Sequence, residues 1–258
     1  MTSIQPLFSL KDRVAVVTGS SKGIGEAIAR GLAEYGAKVV VSSRHQEAVE
    51  EVAERYRQAG YEATAIGCHV GDAEQREHLI ARTVETYGRL DVLVNNAAVN
   101  PYYGPLHEAT SDAFDKIMDV NLKAPWALAN AAFLHMRTNG YGSVINIASV
   151  EGIRPDDGLG LYSVSKAALI MLAKNQAKEW APHGVRSNVI CPGLIKTKFS
   201  KALWSDEKFM KYLHRKVPTG RMGTPEEMAG LAILLATPAG AYMTGGVYSA
   251  DGGYLVGG

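Results

Sequence analysis

Thr18-Gly-Ser-Ser-Lys-Gly-Ile-Gly25 separates the apolar run Val14-Ala-Val-Val17 from the helix-like Glu26-Ala-Ile-Ala-Arg30. A β-branched run, three glycines and a helical continuation read as strand, tight turn and helix. Gly19 permits the turn, while Gly23 and Gly25 let a ligand or a neighbouring strand come close to the backbone. The N–H groups at such a helix start attract a phosphate. The spacing is G-x-x-x-G-x-G, and Glu26 stands where a nucleoside-triphosphate loop needs Lys followed by Ser or Thr. Three glycines in a turn also occur for packing alone. On the first strand of a βαβ unit they point to a dinucleotide site.

Outward from this turn, residues 14–18, 38–42, 63–68, 92–95, 143–148, 186–191 and 247–249 read as strands. Segments of helical period lie between them, near 24–36, 45–59, 72–87, 111–138, 161–181 and 224–236. This alternation predicts an α/β chain with a Rossmann-type, doubly wound parallel sheet of about seven strands and helices on both faces. Val39-Val40-Val41 is apolar throughout, as a strand covered on both faces should be. The length suits one large domain or two small ones, and a single domain over 1–258 is expected. One irregular insert near 194–216, between a strand and the last helix, reads as a flap over a site or as a solvated excursion. It begins at the C-terminal end of a strand, where open α/β sheets bind ligands.

A formal net charge of +1 implies no basic face, so neither nucleic acid nor an acidic membrane is an expected partner. Cys68 and Cys191 are the only cysteines, too few and too far apart for a disulfide framework or a thiolate metal site. The seven histidines show no ligand spacing such as H-E-x-x-H, and no metal is expected. The opening residues lack a charged segment followed by an apolar run, and the end lacks an S-K-L-like address, so a cytoplasmic protein is expected.

The second strand ends Ser42-Ser43-Arg44 with no carboxylate to take a ribose 2′-OH. The Arg44 fork suits a 2′-phosphate, and Lys22 between the glycines adds a second positive charge, so NADP(H) is expected over NAD(H). Both are also of a type that normally sits solvated on a surface. Tyr162 and Lys166 stand four apart, on one helix face. An ammonium beside a phenol is expected to stabilise the phenolate and lower its pKa, giving a proton donor and acceptor for a carbonyl–alcohol pair. The same spacing recurs at Tyr212 and Lys216, which follows no comparable strand. Ser149 lies at the end of the strand Val144-Ile-Asn-Ile-Ala148, placed to hold a substrate oxygen. It is no hydrolase elbow, since G-x-S-x-G is absent there.

Taken together, Thr18-Gly-Ser-Ser-Lys-Gly-Ile-Gly25, Asn95-Asn-Ala-Ala98, Asn121, Ser149, Tyr162-x-x-x-Lys166 and Pro192-Gly-Leu-Ile-Lys-Thr197 closely resemble the short-chain dehydrogenase/reductase family, over about residues 10–254. The resemblance implies Tyr162 as acid/base and Lys166 as the partner that binds nicotinamide ribose and lowers the tyrosine pKa. It implies Ser149 as substrate-orienting and Asn121 as support for a water leading to the lysine. It also implies cofactor contacts from Gly19, Ser21, Lys22, Gly23, Ile24 and Gly25, then from Ser43 and Arg44, from Asn95 and Ala97, from Tyr162 and Lys166, and from Pro192, Gly193, Ile195 and Thr197. A homotetramer packed through the helices near 111–138 and 161–181 is implied as well. Val39 to Arg44, Asn96 to Pro101 and Pro192 to Thr197 look like the NADPH-dependent carbonyl and retinal reductase branch. The family's Asp-Val after the third strand appears here as His69-Val70, so adenine is expected against the Val70 backbone or the His69 ring.

The reading is a reductase moving hydride between NADP(H) and a small-molecule ketone or aldehyde, with the corresponding alcohol as product. Pro101-Tyr102-Tyr103, Val150 to Arg154, Leu194 and the 199–204 segment with Phe199 and Trp204 are the expected pocket. An NAD-linked alcohol or polyol dehydrogenase, a 3-oxoacyl-carrier reductase and a non-catalytic cofactor-sensing protein are the alternatives.

Overall fold

The computed structural model describes residues 3–197, 213 and 215–257. Seven parallel strands form one sheet in the order β3-β2-β1-β4-β5-β6-β7. They are β1 (Val14–Thr18), β2 (Lys38–Ser43), β3 (Ala63–Gly67), β4 (Val92–Asn95), β5 (Gly142–Ile147), β6 (Val185–Pro192) and β7 (Val247–Ala250). The order reverses between β1 and β4, which register Val16 against Leu93. That reversal opens the crevice in which doubly wound folds take a ligand.

The helices are α1 (Gly23–Glu34), α2 (Gln46–Gln58), α3 (Ala73–Tyr87), α4 (Ser111–Met118), α5 (Ala124–Thr138), α6 (Gly160–Trp180) and α7 (Pro225–Ala236). Strand alternation sends Ala15, Val17, Val39 and Val41 into a core with Ile28 and Leu32 of α1, Val49 of α2 and Ile233 of α7. Val16, Val40, Leu93 and Val144 face the other way, against Leu79 of α3 and Leu128 and Met136 of α5. The strands are therefore apolar on both faces because each face is covered. α1 and α7 lie close, since a Cβ on Gly31 would stand 3.1 Å from Ile233 Cδ1.

The sequence pattern predicts one helix over 111–138, and the structure divides it. α4 ends at Met118, Asp119–Lys123 forms a π-helical turn, and α5 resumes at Ala124. Pro125 has no N–H for the carbonyl of Asn121 four residues back, and a wider turn accommodates that loss. Among the described residues no helix is long and apolar enough to cross a membrane.

Candidate active site

The glycine turn joins β1 to α1 in the crevice. Gly19 and Gly23 hold positive φ, 66° and 63°, which a side chain resists. A Cβ on Gly19 would stand 2.9 Å from Asn96 Nδ2 and 3.0 Å from Ala97 Cα; one on Gly25 would stand 2.5 Å from the Gly19 carbonyl oxygen. The turn is pinned from β4. Asn96 Nδ2 donates to the carbonyls of Thr18 at 2.8 Å and Gly19 at 3.1 Å, while Thr18 Oγ1 accepts from Asn96 N and Ala97 N. A second pin comes from β2, where Ser42 N donates to Ser20 Oγ at 2.8 Å and Ser20 N to the Ser42 carbonyl at 3.0 Å.

Asn95, an expected cofactor contact, and its neighbour Asn96 are placed differently. Asn95 is 3% exposed, donates to Asn146 Oδ1 at 3.0 Å and lies inside the layer, so the loop-holding amide is that of Asn96. Ser21 and Ile24 flank the turn half-buried, and Lys22 opens α1 fully extended and exposed. Arg44 is exposed just past half-buried Ser43 at the end of β2. Neither cation has an ion-pair partner among the described residues.

The replacement at His69 is engaged within its own loop. Its Nδ1 accepts from Gly71 N at 3.2 Å and its N donates to Gln75 Oε1 at 2.8 Å, while the buried Val70 gives its carbonyl to Arg76 at 2.7 Å. Beyond β6, Gly193 packs on Asp251 and Ile195 bridges to Gly223. Thr197 returns to the glycine turn, its Cγ2 3.5 Å from where a Cβ on Gly23 would stand. Pro192 ends β6, paired with Ala250.

The chemistry-bearing side chains meet beside this cradle. Ser149 follows β5, its Oγ accepting from Glu151 N at 3.1 Å and hydrogen-bonding the Tyr162 phenol. Tyr162 lies in the first turn of α6. Lys166, one turn on and 2% exposed, donates from Nζ to the Ile147 carbonyl at 2.8 Å and lies 5.5 Å from the Tyr162 ring centroid. Asn121, on the π-turn, brackets the Val99 backbone with both amide atoms at 2.9 Å and donates to Ser165 Oγ at 3.1 Å. Ser165 in turn donates to the Tyr162 carbonyl at 2.7 Å. The π-turn, the residues after β4 and the start of α6 are therefore one hydrogen-bonded unit.

The expected lowering of the tyrosine pKa is reversed here. Burial pushes the Tyr162 phenol up to about 12, and the Ser149 hydrogen bond pulls it back only in part. Burial likewise pushes the Lys166 ammonium down to about 8. Desolvation is the largest cause at both groups, because each loses water that its charged form needs. The buried Cys191 thiol below them is pushed up to about 11 by the same cause.

Of the expected pocket stretches, Val150 and Leu194 pack in one cluster, and Tyr103 packs on the loop before α6. Gly104 N donates to the Gly158 carbonyl at 3.0 Å, and the Tyr103 ring packs on Gly158. Val150 and Leu194 share a cluster with Leu213, Met222 and Tyr254. Phe199, Trp204 and Tyr212, and most of the 194–216 insert, lie outside the described residues. Tyr254 was missed from the sequence, although an aromatic near a chain end was its signal. Its hydroxyl hydrogen-bonds the Asp156 carboxylate, and Arg154 Cζ lies 5.6 Å above its ring.

A family model described as enoyl-(acyl carrier protein) reductase matches residues 19–255. The chain belongs to the short-chain dehydrogenase/reductase family and is an oxidoreductase. It is 45% identical over 244 residues to dehydrogenase/reductase SDR family member 4 of Oryctolagus cuniculus, covering 95% of this chain and 94% of that protein. The structure of a gluconate 5-dehydrogenase from Burkholderia cenocepacia J2315 in complex with NADP and tartrate matches with a TM-score of 0.95 at 34% identity, over 99% of this chain and 100% of the other. A putative NAD(P)-dependent gluconate 5-dehydrogenase from Beutenbergia cavernae, with bound NADP at low occupancy, matches at 0.92 and 36% identity, over 97% and 99%.

Proposed function

We propose that this protein is a single-domain, NADP(H)-dependent carbonyl reductase that uses Tyr162 as its acid/base. The observation that carries this reading is the meeting of Ser149, Tyr162 and Lys166 beside the glycine cradle. The cradle fits the cofactor: the N-terminus of α1 follows the glycine turn and favours a phosphate, and two exposed cations flank it where no carboxylate opposes a 2′-phosphate. When bound, NADPH supplies the hydride.

Tyr162, which holds its proton tightly, gives it to the substrate oxygen as charge develops there, while Ser149 donates a hydrogen bond to the same oxygen. Lys166 is held by the Ile147 carbonyl and its pKa is pushed down to about 8, so it can return a proton towards Tyr162. The Asn121 carbonyl, to which Pro125 has nothing to donate, takes the water on that route. A cytoplasmic location agrees with two buried free thiols. A homotetramer would cover Trp126 and Leu134 on α5 and Met171 on α6, which are large, apolar and exposed.

The test is NADPH consumption by the purified protein across ketones, aldehydes, α-diketones and keto sugars, each repeated with NADH and with Tyr162→Phe. Turnover with NADPH that the variant loses while still binding cofactor supports the reading. Undiminished turnover by the variant overturns it. The likeness to gluconate 5-dehydrogenases favours a second reading, a polyol or sugar-acid dehydrogenase, which predicts oxidation of gluconate in the same assay.

A further inference from the structure

Glu151 is a carboxyl that the proposed chemistry leaves without a part. Its residue is 8% exposed, at the foot of the site. Oε2 accepts from Ser163 Oγ at 2.9 Å and from Asp156 N at 3.0 Å. Burying a carboxylate is costly even with hydrogen bonds, and an apolar residue of similar volume often packs there at no loss. A retained buried carboxyl therefore calls for a reason.

Its connections supply one. The Glu151 main chain donates to Ser149 Oγ at 3.1 Å, and its side chain holds Ser163, the residue directly after Tyr162. One residue thus links the turn that carries Ser149 to the first turn of α6. Its carboxyl also stands close to Tyr162, through the bond from Oγ of Ser163, the next residue. Glu151 raises the proton affinity of Tyr162, as a negative neighbour disfavours a second negative charge. The other groups around Tyr162 are the Ser149 hydroxyl, Cys191 of β6 and Lys166 on its own helix. Around Glu151 they are Ser163 and the carboxylate of Asp156, and burial foremost, then Asp156, pushes the Glu151 pKa upward. Asp156 is itself engaged by the Tyr254 hydroxyl.

We propose that Glu151 is a positioning residue for Tyr162: it clamps the Ser149 turn to the start of α6 and places a negative charge beside the phenol. This rests on the reading of Tyr162 as the acid/base. The clamp keeps the two substrate-facing hydroxyls in register. The charge keeps the phenol protonated, which suits donation during reduction and delays the phenolate needed for alcohol oxidation.

The experiment compares wild type, Glu151→Gln, Ser163→Ala and Tyr162→Phe. Two quantities are read against pH: kcat for alcohol oxidation, and the isotope-labelled tyrosine Cζ resonance assigned to Tyr162 by its loss in Tyr162→Phe. Glu151→Gln keeps an acceptor and removes the charge, so both midpoints move down by about one pH unit. Ser163→Ala breaks the clamp and keeps the charge; kcat falls roughly tenfold and the midpoints stay. A Glu151→Gln midpoint equal to that of wild type, or wild-type kcat in Ser163→Ala, overturns the proposal; the second outcome holds even where Glu151→Gln does not fold. Wild-type turnover by Tyr162→Phe overturns the acid/base reading instead, and the resonance still reports on the charge.

Discussion

Lys166 Nζ donates to the Ile147 carbonyl at 2.8 Å from a side chain that is 2% exposed. The bond aims the ammonium across the end of β5 and leaves it short of water, which is why its pKa falls to about 8. A buried lysine of this kind weakens the fold while it serves a site.

That weakness has a pH signature. The unfolded lysine keeps its proton up to about pH 10.4, whereas the folded one loses it near 8. Between those values the unfolded state binds more protons, so this group's contribution to stability rises with pH. Below pH 8 the penalty is fully present, about 3 kcal/mol by the shift. Lys166→Met removes it at the cost of one hydrogen bond to Ile147. The variant should be inactive, and its stability relative to wild type should fall as pH rises from 8 to 10.4, measured by urea unfolding at each pH. A pH-independent difference would mean that Lys166 is not desolvated as the structure has it.

Asn96 gives a second expectation. Its amide donates to two carbonyls of the glycine turn, and Asn96→Asp replaces that donor by a carboxylate facing both. Leaving buried acceptors unpaired costs about 1–3 kcal/mol each. Unfolding midpoints should drop, and NADPH affinity measured by fluorescence titration should weaken at least tenfold. Asn96→Ser, with a shorter donor, should fall between. Unchanged affinity in Asn96→Asp would mean that the cradle needs no pin from β4.

The legible parts of this molecule were those set by local pattern. The valine runs give strands that are covered on both faces, and the spacing of Gly19, Gly23 and Gly25 gives the turn, because each depends on few neighbours. The choice between Asn95 and Asn96 was readable in principle. Successive strand residues face opposite ways, so the second of the pair is the one that reaches the turn. The π-turn was not readable, although Pro125 was in view, because a proline can break, kink or widen a helix depending on what packs around it. The direction of the Tyr162 shift needed burial, which spacing alone does not report. Tyr254 needed a contact between residues 98 apart in the chain.

Lys22 and Arg44 stand exposed on either side of the cradle, at the start of α1 and the end of β2. The bonds between Ser20 and Ser42 hold these two corners together. On the proposed reading both cations meet a 2′-phosphate, at about 1.5–3 kcal/mol for a charged hydrogen bond. Arg44→Ala should weaken NADPH binding roughly tenfold to a hundredfold, and Lys22→Ala somewhat less, with NADH binding unchanged. Because surface charges are screened, the wild-type preference should shrink in high salt. Equal losses for both cofactors would move these residues off the ribose and onto the shared pyrophosphate.

The C-terminal turn packs against the loop that follows Ser149. Asp251 accepts from Gly253 N at 2.9 Å and Leu255 N at 3.0 Å, which turns Tyr254 back towards Asp156. Asp156 N is also the donor to Glu151, so the turn is joined through two hydrogen bonds to the residue beside Tyr162. Tyr254→Phe keeps the ring in its apolar cluster with Val150 and Met222 and removes only the hydroxyl. The loss of one such bond is worth about 1 kcal/mol, or a Tm drop of roughly 2–4 °C in a chain near this size. If the bond also holds the 151–158 loop in place, KM for the carbonyl substrate should rise several-fold while the NADPH Kd is unchanged. A lowered Tm with an unaltered KM would make Tyr254 an anchor for the chain end that has no hold on the site.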